Sequence, residues 1–337
     1  MATIDWSGAL ARWATAHYGP AASVENVRPM PGNSGISYGF DVCHPDGPDR
    51  ARDRFVIRVP PPGVSRRGNT DVLRQAPLLR ALQAEGVPVA GVRWCGDEDE
   101  FFGVPYLVVD HVPGRSLSLF EPDPSFDLTP PAVEKLFRQA ISALAAVHTL
   151  DWRSRLPDWE APRTIEAEVR AWEPIFAKSL DPEWTSRGLA LGRALLDSAP
   201  AEPEPGLFHG DFYSNNWMFN GDRLQAIIDW EIAGIGPSLV DLGWVCMMYD
   251  PGNWCGEHGA GLAWAPPPHD IVGWYEEARG RPVPDADWYR AFAGYRFAAI
   301  TAINVRLHRT GRRPDPVWDV FGASFQSLVE HSFGLLV

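Results

Sequence analysis

Lysine is almost missing from this 337-residue chain: Lys135 and Lys178 are the only two, and every other basic residue is arginine. Positive charge is scarce in general, with 43 acidic against 30 basic residues and a formal net charge of −13. A nucleic-acid partner is therefore excluded as an expectation, because a phosphate backbone needs a cationic face; a cationic small molecule is compatible with the same balance. The four cysteines, Cys43, Cys95, Cys246 and Cys255, are scattered without metal-ligand spacing and read as reduced thiols with no assigned function. No apolar run is long enough to span a bilayer, and the segment Met1-Ala2-Thr3-Ile4-Asp5-Trp6 has neither the basic region nor the apolar stretch of a signal peptide. A cytoplasmic location is the default expectation, and no internal repeat or low-complexity tail is found.

What the chain does have is a size and composition that can bury a substantial core and divide into two lobes: 45% hydrophobic and 22% charged residues. Its most informative stretch is His209-Gly210-Asp211-Phe212-Tyr213-Ser214-Asn215-Asn216, followed by Ile227-Ile228-Asp229-Trp230-Glu231. Between them, Trp217-Met218-Phe219 reads as a strand, Asn220-Gly221-Asp222 as a turn and Leu224 to Ile228 as the returning strand. Such a hairpin would bring Asn216 and Asp229 side by side. Phosphoryl transfer needs metal ions bridging the nucleotide phosphates, a carboxylate and an amide to hold them, and a second carboxylate to orient the attacking hydroxyl. Asp211, Asn216 and Asp229 supply those three groups.

In these motifs the sequence resembles the aminoglycoside phosphotransferase-like kinases, whose fold is similar to that of protein kinases. The resemblance covers most of the chain. It implies an α+β, bilobal fold, with an antiparallel-sheet lobe over residues 1–112 that ends in a hinge and a larger, mainly helical lobe over 113–337. It also implies that Asp211 is the catalytic base, that Asn216 and Asp229 hold Mg2+, and that ATP or GTP is the phosphoryl donor. The segment Gly236-Pro237-Ser238-Leu239-Val240-Asp241-Leu242-Gly243 looks like the family's Gly-Asp-Pro-x-x-Asp-Leu-Ala, where Asp241 would brace the catalytic loop and join His209 in structural support. A helix-capping role for Asp241 is compatible with that one.

In the amino-terminal part, a helix over Asp5 to Tyr18 and strands at Val24–Met30 and Tyr38–Val42 flank Pro31 to Ser37. By resemblance this hairpin, with Ser34 and Gly35, would lie over the nucleotide phosphates and let backbone N–H groups approach their oxygens. Arg54 to Val59 reads as a third strand, with Arg58 where the family places its phosphate-anchoring lysine. Neither lysine of this chain lies in that part, so an arginine clamp is expected. The family's partner glutamate aligns with Gln75, which can hydrogen-bond but not neutralise. Pro77 means that the helix carrying Gln75 is either kinked or starts late. Backbone groups near Asp110 and Val112 are expected to read the purine at the hinge.

Beyond the hinge, Pro130 to Leu150 has helical apolar spacing and ends near His148, read as a core-edge histidine; Arg163 to Leu196 is expected to form two helices. Helices over Trp288–Leu307 and Asp315–Leu335 close the chain. Only Trp230 to Val240 separate Asp229 from Asp241, which leaves no space for a regulatory loop and favours a small-molecule hydroxyl as acceptor. Acceptor recognition is expected from the irregular region after Tyr249, where Asp250 and Glu257 could bind amines and Trp254 could stack on a ring. An antibiotic such as an aminoglycoside, macrolide or nucleoside would suit these groups. The run Phe55 to Gly63 also looks like the family branch associated with acyl-CoA dehydrogenases, which implies a metabolic kinase for hydroxyacyl or related compounds. The missing lysine and Gln75 keep open a catalytically silent nucleotide-binding protein. Oligomeric state is not legible.

Overall fold

The structure, a computed structural model, describes residues 5–30, 36–46, 49–60, 68–97 and 101–337. The chain divides into two compact units, the first made of residues 1–113, 155–159 and 225–232, the second of 114–154, 160–224 and 233–337.

The first unit opens with helix α1 (Trp6–Tyr18), started by the Asp5 carboxylate, which accepts the Gly8 N–H at 3.1 Å. Strands β1 (Ser23–Pro29), β2 (Ile36–Asp46), β3 (Asp49–Val59), β4 (Val92–Gly96) and β5 (Tyr106–Asp110) form one antiparallel sheet in the order β1-β2-β3-β5-β4. Side chains alternate across a strand. Phe40 and Val42 of β2, with Phe55, Ile57 and Val59 of β3, form a core with Leu10, Trp13 and Ala14 of α1. Arg58, between two inward residues of β3, is thereby turned to the opposite face.

Helix α2 (Gln75–Ala84) follows a 3-10 turn over Val72–Arg74, whose start is capped by the Asp71 carboxylate accepting the Leu73 N–H at 3.1 Å. Pro77 is the third residue of α2, where its missing N–H costs no intrahelical bond. Of the two possibilities open from the sequence, the late start is the one realised.

The second unit holds β6 (Arg115–Ser116), α3 (Pro130–His148), α5 (Ile165–Arg170), α6 (Glu173–Phe176), α7 (Pro182–Asp197), β7 (Gly206–Phe208), β8 (Trp217–Asn220) and β10 (Gly234–Gly236). Helices α8 (Val240–Met248), α9 (Glu257–Gly261), α10 (Pro268–Arg279), α11 (Ala286–Arg309), α12 (Val317–Ala323) and α13 (Phe325–Gly334) complete it. Two short elements, α4 (Trp152–Arg155) and β9 (Arg223–Ile227), run across the division. Residues 163–196 thus form three helices where two were expected. Pro174 and Pro182 lie in the first turns of α6 and α7, positions that proline favours and that restart the helix.

The buried helices α8 and α11 pack at close range. A Cβ on Gly243 would sit 2.2 Å from the Tyr289 carbonyl oxygen, so glycine at this position is what allows the approach. Residues of these two helices, Asp241 and Arg296, anchor the start of the segment His209–Asn216. Among the described residues, no helix is long and apolar enough to cross a membrane.

Candidate active site

In the second unit the chain leaves β7 through Gly210, whose φ of +90° is a conformation only glycine adopts without strain. The loop that follows is tied down on every side. The wholly buried Asp241 of α8 accepts the backbone N–H groups of His209 and Gly210 at 2.6 and 2.7 Å, and lies 3.2 Å from His148 Nε2. Leu239 is the residue that precedes α8, so Asp241 is inside its first turn and its oxygens serve the loop, not the helix end. Arg296 of α11 donates to the Gly210 carbonyl at 3.0 Å, with its guanidinium 4.8 Å from the centre of the Trp244 ring. Further along, Tyr249 Oη accepts the Ser214 N–H at 3.1 Å, Ser214 Oγ donates to the Leu117 carbonyl, and Asn215 Oδ1 accepts the Leu119 N–H at 2.9 Å.

This support sets the direction of Asp211. Trp244 Nε1 donates to Asp211 Oδ1 at 2.9 Å, and Asn216 Nδ2 donates to Asp211 Oδ2 at 3.1 Å and to the Asp211 carbonyl at 2.8 Å. Because both acceptors lie on the nitrogen side of the Asn216 amide, its Oδ1 is turned away from Asp211.

The electrostatics of the supporting groups follow from burial and partners. Burial opposes ionisation of Asp241, yet the hydrogen bonds it accepts from His148 and from the His209 N–H outweigh it and hold the carboxyl below its usual range. Burial lowers the pKa of His148, only partly offset by Asp241, so the imidazole is neutral near pH 7. Its Nε2–H then donates to Asp241 and its Nδ1 accepts from Tyr275 Oη at 2.6 Å. Burial likewise pulls the Arg296 guanidinium down, against the charges of Glu168, Asp241 and Asp211.

The first unit contains the second group of candidate residues. Arg58 Nη1 donates to Gln75 Oε1 at 3.3 Å, while its Nη2 reaches Asp229 Oδ1 at 3.3 Å and Glu231 Oε2 at 3.1 Å. Asp229 has φ +67°, a left-handed backbone that a non-glycine residue seldom adopts. Trp230 behind it is buried and donates Nε1 to the Ile227 carbonyl at 2.8 Å. Arg74 donates to the Glu231 carbonyl at 3.4 Å and lies 4.1 Å over the ring of Trp159, whose Nε1 returns a hydrogen bond to the Arg74 carbonyl at 2.8 Å.

Other candidates are placed differently from the expectation. Asp110 donates its N–H to the Gly91 carbonyl at 2.9 Å and pairs its carboxylate with Arg93 at 2.7 Å, so that N–H is already used. Val112 follows this strand end. Asp250 is not an open amine receptor: its Oδ1 accepts the Gly252 N–H at 2.9 Å, and its Oδ2 meets Arg290 at 2.7 Å and His331 at 2.8 Å. Trp254 is 5% exposed and donates Nε1 to the Met248 carbonyl at 3.1 Å, as a packing residue would. Glu257 opens α9, and its side chain lies outside the described residues, as do Ser34 and Gly35 altogether. Sequence reasoning did not single out Trp244, Arg296 or Tyr249. Trp244 had a signal, since it stands three residues after Asp241 and therefore on the same helix face. Arg296 had one too, as a lone charge within the apolar run Phe292 to Ala299.

Each unit offers a hard-oxygen donor of the kind a divalent cation takes: in the first the Asp229 carboxylate, its side chain 38% exposed, and in the second the Asn216 amide oxygen. Among the described residues, no cluster of three or more His, Cys, Asp or Glu forms a self-sufficient metal cage.

Comparison with known proteins agrees with this chemistry. The profile of the phosphotransferase enzyme family matches residues 40–274. A probable acyl-CoA dehydrogenase of Arabidopsis thaliana is 28% identical over 270 residues, covering 73% of this chain and 32% of that protein, so the chain spans about a third of that relative's length. Among solved structures, a candidate aminoglycoside phosphotransferase of Ralstonia eutropha JMP134 superposes with a TM-score of 0.79 at 22% identity, over 99% of this chain and 98% of that one. A spectinomycin phosphotransferase in complex with ADP and spectinomycin superposes with a TM-score of 0.62 at 14% identity, over 99% and 98%. The fold is α+β of the protein-kinase-like kind, and with 70% of its length inside the matching profile the chain belongs to the phosphotransferase enzyme family.

Proposed function

We propose that the protein transfers the γ-phosphoryl group of ATP or GTP to a hydroxyl of a small molecule, with Asp211 as the base. The observation that carries this reading is the preorganisation of Asp211, with one oxygen held by Trp244 and the other by Asn216, on a loop fixed by Asp241 and Arg296. An acceptor hydroxyl hydrogen-bonded to this carboxylate gives up its proton to Asp211 as its oxygen bonds to the γ-phosphorus. The bond from phosphorus to the bridging oxygen breaks, and the nucleoside diphosphate leaves with that electron pair. Asn216 Oδ1 and Asp229 would hold Mg2+, which when bound neutralises charge on the phosphates. Arg58 would grip the phosphates, and backbone near Val112 would meet the purine.

For the acceptor, a hydroxyl-bearing acyl metabolite is favoured over a polycationic antibiotic. Asp250, the acid best suited by sequence to an amine, is already paired with Arg290 and His331. The relative from Arabidopsis thaliana carries an acyl-CoA dehydrogenase name, and enzymes joined in one chain commonly handle chemically adjacent compounds.

The test is mass spectrometry of a mixed panel after incubation with magnesium and ATP or GTP. The panel contains hydroxyacyl-CoAs, aminoglycosides, macrolides and nucleoside antibiotics, with Asp211→Asn as control. A phosphoryl mass gain on a hydroxyacyl-CoA is expected, reduced by about 10^2–10^4-fold in the variant with folding unchanged. A gain on an antibiotic alone would replace the acceptor, and equal turnover in the variant would remove Asp211 as base. Nucleotide binding without turnover on any acceptor would favour a silent binding protein.

A further inference from the structure

We infer that Glu231 is the carboxylate that positions Arg58 for the nucleotide phosphates, the role that α2 leaves unfilled by presenting the neutral Gln75; this rests on the phosphotransferase reading above. An anchoring cation beside phosphates needs a fixed counter-charge so that it neither swings away nor binds the phosphates in a non-productive pose. Gln75 orients Nη1 of Arg58 at 3.3 Å but supplies no charge. Two carboxylates reach the other terminal nitrogen, Asp229 at 3.3 Å and Glu231 at 3.1 Å, and they differ in exposure. The Glu231 side chain is 12% exposed and that of Asp229 is 38% exposed.

The more buried pair is the less screened one, so Arg58 and Glu231 hold each other more firmly. Asp229, facing solvent, is the carboxylate that a cation can draw away. With Asp229 engaged by a divalent cation, Glu231 would remain as the partner of Arg58. The mount of Glu231 is suited to this. Its carbonyl is held by Arg74, and Arg74 stacks on Trp159, which also donates to the Arg74 carbonyl. The carboxylate has in effect moved from α2 to the residue two places after Asp229, alongside the exchange of the usual lysine for arginine. Arginine's fork permits this, because one nitrogen can stay on Gln75 while the other serves the carboxylates.

Binding of MgADP and MgGDP to the full chain, followed by calorimetry, tests the inference without knowledge of the acceptor. Glu231→Gln should weaken binding about tenfold, the equivalent of one charge-assisted contact. Adding Gln75→Glu to that variant should return affinity to within about threefold of the unaltered protein, since it restores a carboxylate beside Arg58. Equal affinity in Glu231→Gln overturns the inference, and so does a loss that Gln75→Glu leaves unrepaired while melting curves show both variants folded. If the unaltered chain binds neither nucleotide, the underlying phosphotransferase reading fails, and this inference with it.

Discussion

An indole N–H decides where Asp211 points. Of all the contacts around the loop, the one from Trp244 is the most open to test, because phenylalanine keeps most of the ring and removes only the donor. A hydrogen bond to a charged group contributes roughly 1.5–3 kcal/mol. Trp244→Phe should therefore lower kcat by about 10- to 100-fold and leave nucleotide affinity unchanged, because Arg58 and Gln75 lie in the other unit. Steady-state kinetics read the first and calorimetry the second; an unchanged kcat would reduce Trp244 to a packing residue. The same contact shows the limit of reading residues from sequence. His209, Gly210, Asp211 and Asn216 are legible because they form one short segment with fixed spacing. Trp244 reaches Asp211 from 33 positions away and Arg296 reaches Gly210 from 86, and nothing local announces such a pairing.

Whole elements were easier to read than their contacts. Apolar spacing places α1 and α3 within a residue or two, and turn residues place the segment between β8 and β9. Residues 163–196 were harder, because Pro174 and Pro182 restart the helix. The region after Tyr249 was misread for a different reason: its acids look exposed in sequence, but Asp250 ties three elements together. It caps the turn at Pro251–Asn253 and pairs with Arg290 of α11 and His331 of α13. Burial opposes the charged form of Asp250, yet hydrogen bonds from His331 and the Gly252 N–H, with the Arg290 contact, pull its pKa down to about 2. Its folded pKa thus lies below the unfolded value of about 4. The unfolded chain takes up this proton first as pH falls. The contribution, on the order of 2 kcal/mol, is complete above about pH 4 and is lost on acidification toward about pH 2. Asp250→Asn should lower Tm at pH 7 and flatten the decline of Tm between those two pH values. Circular dichroism melts across the range check it, and parallel curves for the two proteins would contradict the assignment.

On the scale of the molecule, division of the chain follows contact and not sequence order. The first unit draws in residues 155–159 and 225–232, which carry Trp159, Asp229, Trp230 and Glu231. A lobe bounded near residue 112, the simplest division from sequence, leaves these out. Residues 1–113 expressed alone would keep the sheet and α1 but lose both carboxylates beside Arg58 and the Trp159 ring over Arg74. That fragment is expected to show no calorimetric response to MgADP at concentrations that saturate the full chain. Comparable affinity would mean that the later segments contribute nothing to the nucleotide grip.

The arginine at position 58 has a practical consequence outside the reaction. Guanidinium groups keep their proton at any pH an assay would use and do not acylate as amines do. Nucleotide-shaped reagents that tag kinases by acylating the anchoring lysine would find no amine on this strand. In a survey of a cell extract built on such reagents, no label is expected on this strand.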